Sequence, residues 1–273
     1  MSPEENPGAG PAADPLRVAV ILAAAGTGSR FAPGRAPGAA SGGASGGTKV
    51  EEEIAGRPAF AWSLRLLRAR PEVVAVVLAV DPARRAAFAE RWAEELTGSG
   101  AGFAPVAVVG GGPDRDATVR LALAAAPPDA THVAVHDAAR PALSGALLDR
   151  LFAAAAAGHP AVFPGVPVVD TLRRVGAGGR AGATVSRDGL VAVQTPQVFE
   201  AGVLRRAHAT PVEAGVTDDA GRVAALGVPV FCVPGDPANR KLTVPADLAP
   251  LEETLRRRGA TRPPNPLTRA SAS

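Results

Sequence analysis

Residues 17–25 read Arg-Val-Ala-Val-Ile-Leu-Ala-Ala-Ala, and Gly26-Thr27-Gly28-Ser29-Arg30 follow directly. An unbroken apolar run closed by glycine suits a strand buried on both faces of a parallel sheet. Downstream, Pro58 opens an amphipathic helix with Phe60, Leu64 and Leu67 on one face, and residues 73–80 form a second apolar run. A helix over about 82–96, a strand over 106–109, a helix over 116–126 and a short strand over 132–136 ending at Asp137 continue the series. Strand and helix alternate, so the expected class is α/β with an open parallel sheet.

After Pro160 the pattern changes. Residues 166–175 and 184–193 are extended segments rich in Val and Thr, joined by a glycine-rich turn over 176–182. They read as a β-hairpin arm, about 166–193, projecting from the sheet. Helices near 200–209 and 218–226, a strand over 229–233 and a helix over 246–258 complete the chain. No repeat or linker divides it, so residues 16–258 are expected to form a single domain. Residues 1–15 and 259–273 have the composition of disordered tails. Residues 32–48, rich in Ala, Gly, Ser and Pro, read as a long mobile loop of the kind that covers ligands.

Composition narrows the function. With 47% apolar and 20% charged residues over 273 positions, the chain can bury a sizeable core. No run of eighteen apolar residues is present, and the acidic, Pro/Gly-rich start is unlike a secretory signal. A cytoplasmic protein without a membrane partner is expected. One cysteine, Cys232, excludes an internal disulfide, and four dispersed histidines argue against a transition-metal site. The net charge of +3 is scattered, and Arg256-Arg257-Arg258 closes an amphipathic segment, where cations favour a helix C-terminus. No nucleic-acid stripe is expected. Lys49 and Lys241 are the only lysines among 29 basic residues. Two compact ammonium groups kept in an arginine-rich chain suggest roles that a planar guanidinium does not fill.

Four places carry chemistry. In the turn Ala24-Ala25-Gly26-Thr27-Gly28-Ser29-Arg30, glycines admit a ligand to the backbone, N–H groups can cradle phosphate and Arg30 adds charge. The third glycine of a dinucleotide fingerprint is replaced by Phe31, and Asp81 lies too far along to hold its ribose, which disfavours a nicotinamide enzyme. A Gly/Arg turn, a flexible loop and the lone Lys49 suit a nucleoside triphosphate better. The run Gly110-Gly111-Gly112-Pro113-Asp114-Arg115-Asp116-Ala117-Thr118 offers either close contact with a base, Thr118 bonding to it, or a plain strand-to-helix turn. In His136-Asp137-Ala138-Ala139-Arg140-Pro141, Asp137 ends a central strand, where open α/β sheets bind ligands. It can meet a ribose hydroxyl or a metal-bound phosphate, or cap the next turn. Asp170-Thr171, Arg187, Thr195-Pro196-Gln197, Thr217-Asp218-Asp219 and Asn239-Arg240-Lys241-Leu242-Thr243 form the last group, in which Thr217-Asp218 serves equally as a helix N-cap.

Taken in order, AAGTGSR, the isolated Lys49, GG-x-DR-x-x-TV, HDAARP, DT, SRDGL, TPQ-x-F, TDDA and N-x-KLT resemble the 2-C-methyl-D-erythritol 4-phosphate cytidylyltransferase family. The resemblance runs from about Arg17 to Leu255. It implies an open, mostly parallel Rossmann-like nucleotidyltransferase sheet with a β-hairpin arm. It implies attack of the methylerythritol 4-phosphate on the α-phosphate of CTP, release of pyrophosphate, and Mg²⁺ on the triphosphate. By resemblance, Arg30 and Lys49 stabilise the transition state, while Arg187 and Lys241 hold the methylerythritol phosphate. Ala24, Ala25, Gly26, Gly112 and Thr118 line the cytidine pocket. Asp137 sits at the metal, the ribose and the substrate hydroxyls, and Arg140, Thr171, Thr195 and Thr217 surround the second substrate. A homodimer exchanging arms is also implied. The chain departs from the family pattern at Thr48, where Pro is usual, at Glu51-Glu52-Glu53, where apolar residues are usual, and at Pro113. The rival readings are a cytidylyltransferase for ribitol 5-phosphate and a nucleotide-binding paralogue without catalysis.

Overall fold

The computed structural model describes residues 15–26, 31, 48–98, 102–211 and 215–260. The expected N-terminal tail up to residue 14, the loop 32–47, Arg30 with its turn, and residues 261–273 lie outside the described residues.

The chain forms β1 (Val18–Ala23), a short hairpin of β2 (Glu53–Ile54) and β3 (Arg57–Pro58), and α1 (Ala59–Arg68). Next come β4 (Val73–Val80), α2 (Arg85–Arg91), α3 (Ala93–Thr97), β5 (Val106–Gly110), α4 (Arg115–Ala124) and β6 (His132–Asp137). The remainder comprises α5 (Gly145–Ala156), β7 (Ala161–Pro167), β8 (Leu172–Val175), β9 (Ala181–Val185), β10 (Val191–Val193), β11 (Gln197–Glu200), α6 (Ala201–Ala209), α7 (Asp219–Ala225), β12 (Phe231–Pro234) and α8 (Leu248–Ala260).

The main sheet runs β10-β7-β11-β6-β1-β4-β5, with β12 also paired to β7. The β1, β4, β5 and β6 pairings are parallel, as is β12 with β7, whereas β10 and β11 run antiparallel to their neighbours. The expected α/β class and mostly parallel sheet are what the structure contains. Burial explains the apolar run of β1. Val18, Val20 and Leu22 face a core with Phe60, Leu64 and Leu67 of α1, Leu147 and Leu151 of α5, and Leu251 of α8. Ala19 and Ile21 face the opposite core with Val119 of α4, Leu204 of α6 and Val223 of α7. A strand covered on both faces has no side free for polar residues.

Three expectations are corrected. The helix expected over 82–96 is a 3-10 turn (Pro82–Arg84) followed by α2 and α3, which part at Trp92. Its indole turns in toward Phe60, with ring centroids 5.7 Å apart. The ends of the expected arm belong to the main sheet, where Val191 pairs with Pro167 and Val193 with Gly165. Only β8 and β9 form the separate hairpin. The C-terminal helix runs past residue 258 to Ala260, beyond the start of the expected tail. Among the described residues no helix is long and apolar enough to cross a membrane.

Candidate active site

From β1 the chain moves outward through β4 to β5, then crosses back to β6 on the other side of β1. That reversal opens a crevice at the carboxyl ends of β1 and β6, where open α/β sheets hold ligands. A cleft of about 310 Å³ occupies it. Its walls are Ala24, Ala25 and Gly26 after β1, Lys49 and Val50, the turn from Gly112 to Arg115, Thr118, Asp137, Ala139 and Lys241.

Its charged centre is Asp137. Lys241 Nζ lies 2.6 Å from Oδ2, and Arg115 Nε lies 3.4 Å from Oδ1. Arg115 reaches on to Asp219 at 2.7 Å, and Asp219 accepts from His208 Nε2 at 2.9 Å. Burial favours the neutral acid at Asp137, but Lys241 and Arg115 outweigh it and hold the carboxyl far below the usual aspartate range. Burial likewise opposes the charge on Arg115, yet Asp219 and Asp137 hold it protonated more firmly than usual. Lys241 is held in place by its neighbour. Leu242 is fully buried, and its N–H donates to the Ala139 carbonyl at 2.7 Å. One ammonium proton of Lys241 is committed to Asp137, which leaves two for a ligand at the cleft.

A hydrogen-bonded chain fixes Asp137 from behind. Its N–H donates to Thr195 Oγ1 at 3.0 Å, and Thr195 Oγ1 lies 3.1 Å from His136 Nδ1. His136 Nε2 lies 3.2 Å from the Arg140 carbonyl, which only accepts. Nε2 therefore carries the proton, and Nδ1 accepts from the Thr195 hydroxyl. His136 is fully buried, and burial pushes it down to about 4, so the ring is neutral at ordinary pH. Arg140 donates to the carbonyls of Asn239 at 2.9 Å and Val193 at 3.4 Å, and Asn239 Nδ2 donates to the Thr195 carbonyl at 2.8 Å.

The glycine turn before α4 has a packing cause. A Cβ on Gly111 would meet Ala25 Cβ at 2.4 Å, and one on Gly112 would meet Ala117 Cβ at 2.4 Å. The backbone at this wall of the cleft therefore lies closer to its neighbours than any side chain allows. Thr118 Oγ1 donates to the Asp114 carbonyl at 2.7 Å and accepts the Gly112 N–H at 3.0 Å. Its hydroxyl holds the turn's shape, and its one donor proton is already used.

Of the residues named from sequence, Ala24, Ala25, Gly26, Lys49, Gly112, Thr118, Asp137 and Lys241 meet in the cleft. Thr195 and Arg140 stand behind it, bonded as above. Thr171 and Arg187 are on the exposed arm, with the Arg187 guanidinium bonded to the Val169 carbonyl, and neither lines the cleft. Thr217 is exposed, and Asp218 is the N-cap of α7, accepting the Gly221 N–H at 2.9 Å. Arg30 lies outside the described residues. Arg115 was given no role from sequence. Its signal was its place in the GG-x-DR turn, one residue after the Asp that caps α4.

As for a divalent ion, no group of three or more His, Cys, Asp or Glu among the described residues is arranged to hold one. Asp137 is the carboxylate at the centre, and both its oxygens already meet cations. Such a set fits an ion carried on a triphosphate and touched by one carboxylate, as Mg²⁺ commonly is.

The sequence model of the 2-C-methyl-D-erythritol 4-phosphate cytidylyltransferase family matches residues 18–257. The chain belongs to this family. A cytidylyltransferase of that name from Frankia casuarinae is 43% identical over 247 residues, covering 90% of this chain and 84% of the relative. One from Streptomyces coelicolor is 38% identical, covering 89% and 87%. The chain spans 58% of a longer relative from Solidesulfovibrio magneticus, named a bifunctional enzyme IspD/IspF, at 41% identity. A crystal structure of a 4-diphosphocytidyl-2C-methyl-D-erythritol synthase superposes with a TM-score of 0.70 at 30% identity, covering 88% of this chain and 99% of that one. The cytidylyltransferase from Thermus thermophilus gives a TM-score of 0.62 at 31% identity, covering 89% and 98%. Within the family this chain is a nucleotidyltransferase, and the crevice beside β1 is its candidate active site.

Proposed function

We propose that this enzyme transfers CMP from CTP to 2-C-methyl-D-erythritol 4-phosphate, giving 4-diphosphocytidyl-2-C-methyl-D-erythritol and pyrophosphate, a step of non-mevalonate isoprenoid biosynthesis. The observation that carries the reading is the meeting of both lysines of the chain with Asp137 and Arg115 in one cleft at the sheet's reversal. In-line displacement between two phosphates needs no covalent intermediate. Catalysis is then positioning plus neutralisation of charge. The Ala24–Gly26 turn and the Gly112 wall bound the cytidine side, with Arg30 and Lys49 on the triphosphate. Lys241, anchored by Asp137, presents its two other protons to the incoming phosphate. Asp137 also meets sugar hydroxyls and the ion. Mg²⁺ on the triphosphate would offset its negative charge and favour pyrophosphate departure.

The second substrate needs Arg187 and Thr171, which are exposed and do not line the cleft. The arm exposes Val169 and Val175, 77% and 66% accessible. A cytoplasmic homodimer in which each arm completes the partner's cleft accounts for both facts. The experiment is pyrophosphate release from CTP with Mg²⁺, comparing methylerythritol 4-phosphate with ribitol 5-phosphate, beside a Lys49→Ala control. Turnover with the first substrate alone, reduced in the control by about two to three decades, is expected. Turnover with ribitol 5-phosphate would move the enzyme to the pentitol branch, and CTP binding without release would make it a non-catalytic paralogue.

A further inference from the structure

Lys49 begins a 3-10 turn, Lys49–Glu51, on the cleft wall. The ten residues before Thr48, GAASGGASGG, contain no side chain larger than serine. The larger side chains adjoining the turn are at its other end. Glu51 stands there, 4% exposed. Its Oε1 accepts the Thr48 N–H at 2.9 Å, the Thr48 hydroxyl at 3.2 Å and the Arg84 guanidinium at 2.8 Å. Its Oε2 accepts the Trp92 indole N–H at 3.2 Å. The Glu51 N–H returns to the Thr48 carbonyl at 2.8 Å, closing the turn. Arg84 ends the 3-10 segment that leaves β4, and Trp92 packs edge-on against the fully buried Phe60.

We infer that Glu51 is a positioning residue for Lys49, its carboxylate clamping the lysine-bearing turn to the exit of β4 and to the aromatic core. The clamp rests on the reading that Lys49 meets the triphosphate. The chemistry explains why a carboxylate can stand at this buried position. Four donors converge on two oxygens, and only an ionised carboxylate accepts from all of them without adding a proton of its own. A buried charge is costly unless satisfied in this way. Burial opposes ionisation, but the Thr48, Trp92 and Arg84 donors prevail and hold the carboxyl below the usual glutamate range. Glu52 and Glu53 show the contrast, being half-buried and exposed.

Because the chain has only two lysines, acylation of Lys49 and Lys241 by an amine reagent can be followed site by site by mass spectrometry. The test compares wild type, Glu51→Gln, Lys49→Ala and the double variant, with and without CTP and Mg²⁺. Expected for Glu51→Gln is a fall in kcat of about 10- to 100-fold, as for a displaced catalytic group. KM for CTP should stay within about twofold, and CTP protection of Lys49, but not of Lys241, should weaken. In the Lys49→Ala background the Glu51 change should add nothing. Trp92→Phe and Arg84→Met, each removing one donor, should give smaller losses of the same kind, and they carry the test if Glu51→Gln fails to fold. Unchanged kcat and protection in Glu51→Gln, with Lys49→Ala impaired, would overturn the clamp alone. An equal Glu51 effect with and without Lys49 would reduce it to general support of the fold. Full activity of Lys49→Ala would instead overturn the triphosphate reading on which the clamp depends.

Discussion

Asp137 and His136 are adjacent in the chain, yet their burial has opposite consequences. Asp137 is buried with two cations and stays charged; His136 is buried with a carbonyl and a hydroxyl and stays neutral. The pH dependence of stability follows. An unfolded histidine takes its proton near 6.5, whereas His136 in the fold does so only at about 4. Its contribution is therefore complete above pH 6.5 and is lost as the pH falls from there toward 4. The loss should amount to about 3 kcal/mol. Denaturant unfolding of wild type and His136→Gln across that window should show a slope in the first that is largely absent in the second. An identical slope in both would mean that His136 is not the group responsible. Asp137 was legible from sequence because a lone acid closes a central apolar strand. Arg115 was not, because its partners are Asp137 and Asp219, 22 and 104 positions away in the chain, and only the folded chain brings them to it.

Among the elements, long periodic stretches were read correctly and their breaks were not. The strands β1, β4 and β6 and the helices α1 and α4 lie where the apolar pattern puts them. Between Asp137 and Pro160 the sequence reading places no element, yet α5 lies there, with Leu147, Leu151 and Ala155 at helical spacing on its buried face. The division of 82–96 at Trp92 has no local signal, since it depends on Phe60 and Glu51 elsewhere in the fold. The β2–β3 hairpin is another such case. Its two-residue turn, Ala55-Gly56, has φ of 51° and 80°. Both values are positive, as the tight hairpin turn demands. Alanine in that region is strained by about 1–2 kcal/mol. Ala55→Gly should relieve part of this and raise stability by about 1 kcal/mol, offset in part by the greater freedom of glycine when unfolded. An unchanged or lower denaturation midpoint would refute the strain.

The whole molecule presents a cleft that is half furnished. The cleft walls at Ala24–Gly26 and Gly112–Thr118 come from this chain, but Thr171 and Arg187 are exposed and flank the separate β8–β9 hairpin. If arms are exchanged, two defective subunits should repair one another. Arg187→Ala and Lys241→Ala variants, each inactive alone, should regain activity when refolded or co-expressed together. Mixed dimers then contain one cleft with its own Lys241 and a sound Arg187 from the partner. No recovery in a mixture shown to contain heterodimers would place Arg187 in the cleft of its own subunit or outside catalysis.

Patterns along the chain sufficed for the sheet class, the buried strands and the residues at their carboxyl ends, because each depends on side chains a few positions apart. The folded chain was needed to bring Lys241 to Asp137, to recruit Arg115, and to bring Arg84 and Trp92 to Glu51. Those contacts join segments up to about a hundred residues apart, and burial makes each ion pair obligatory once the backbone has closed.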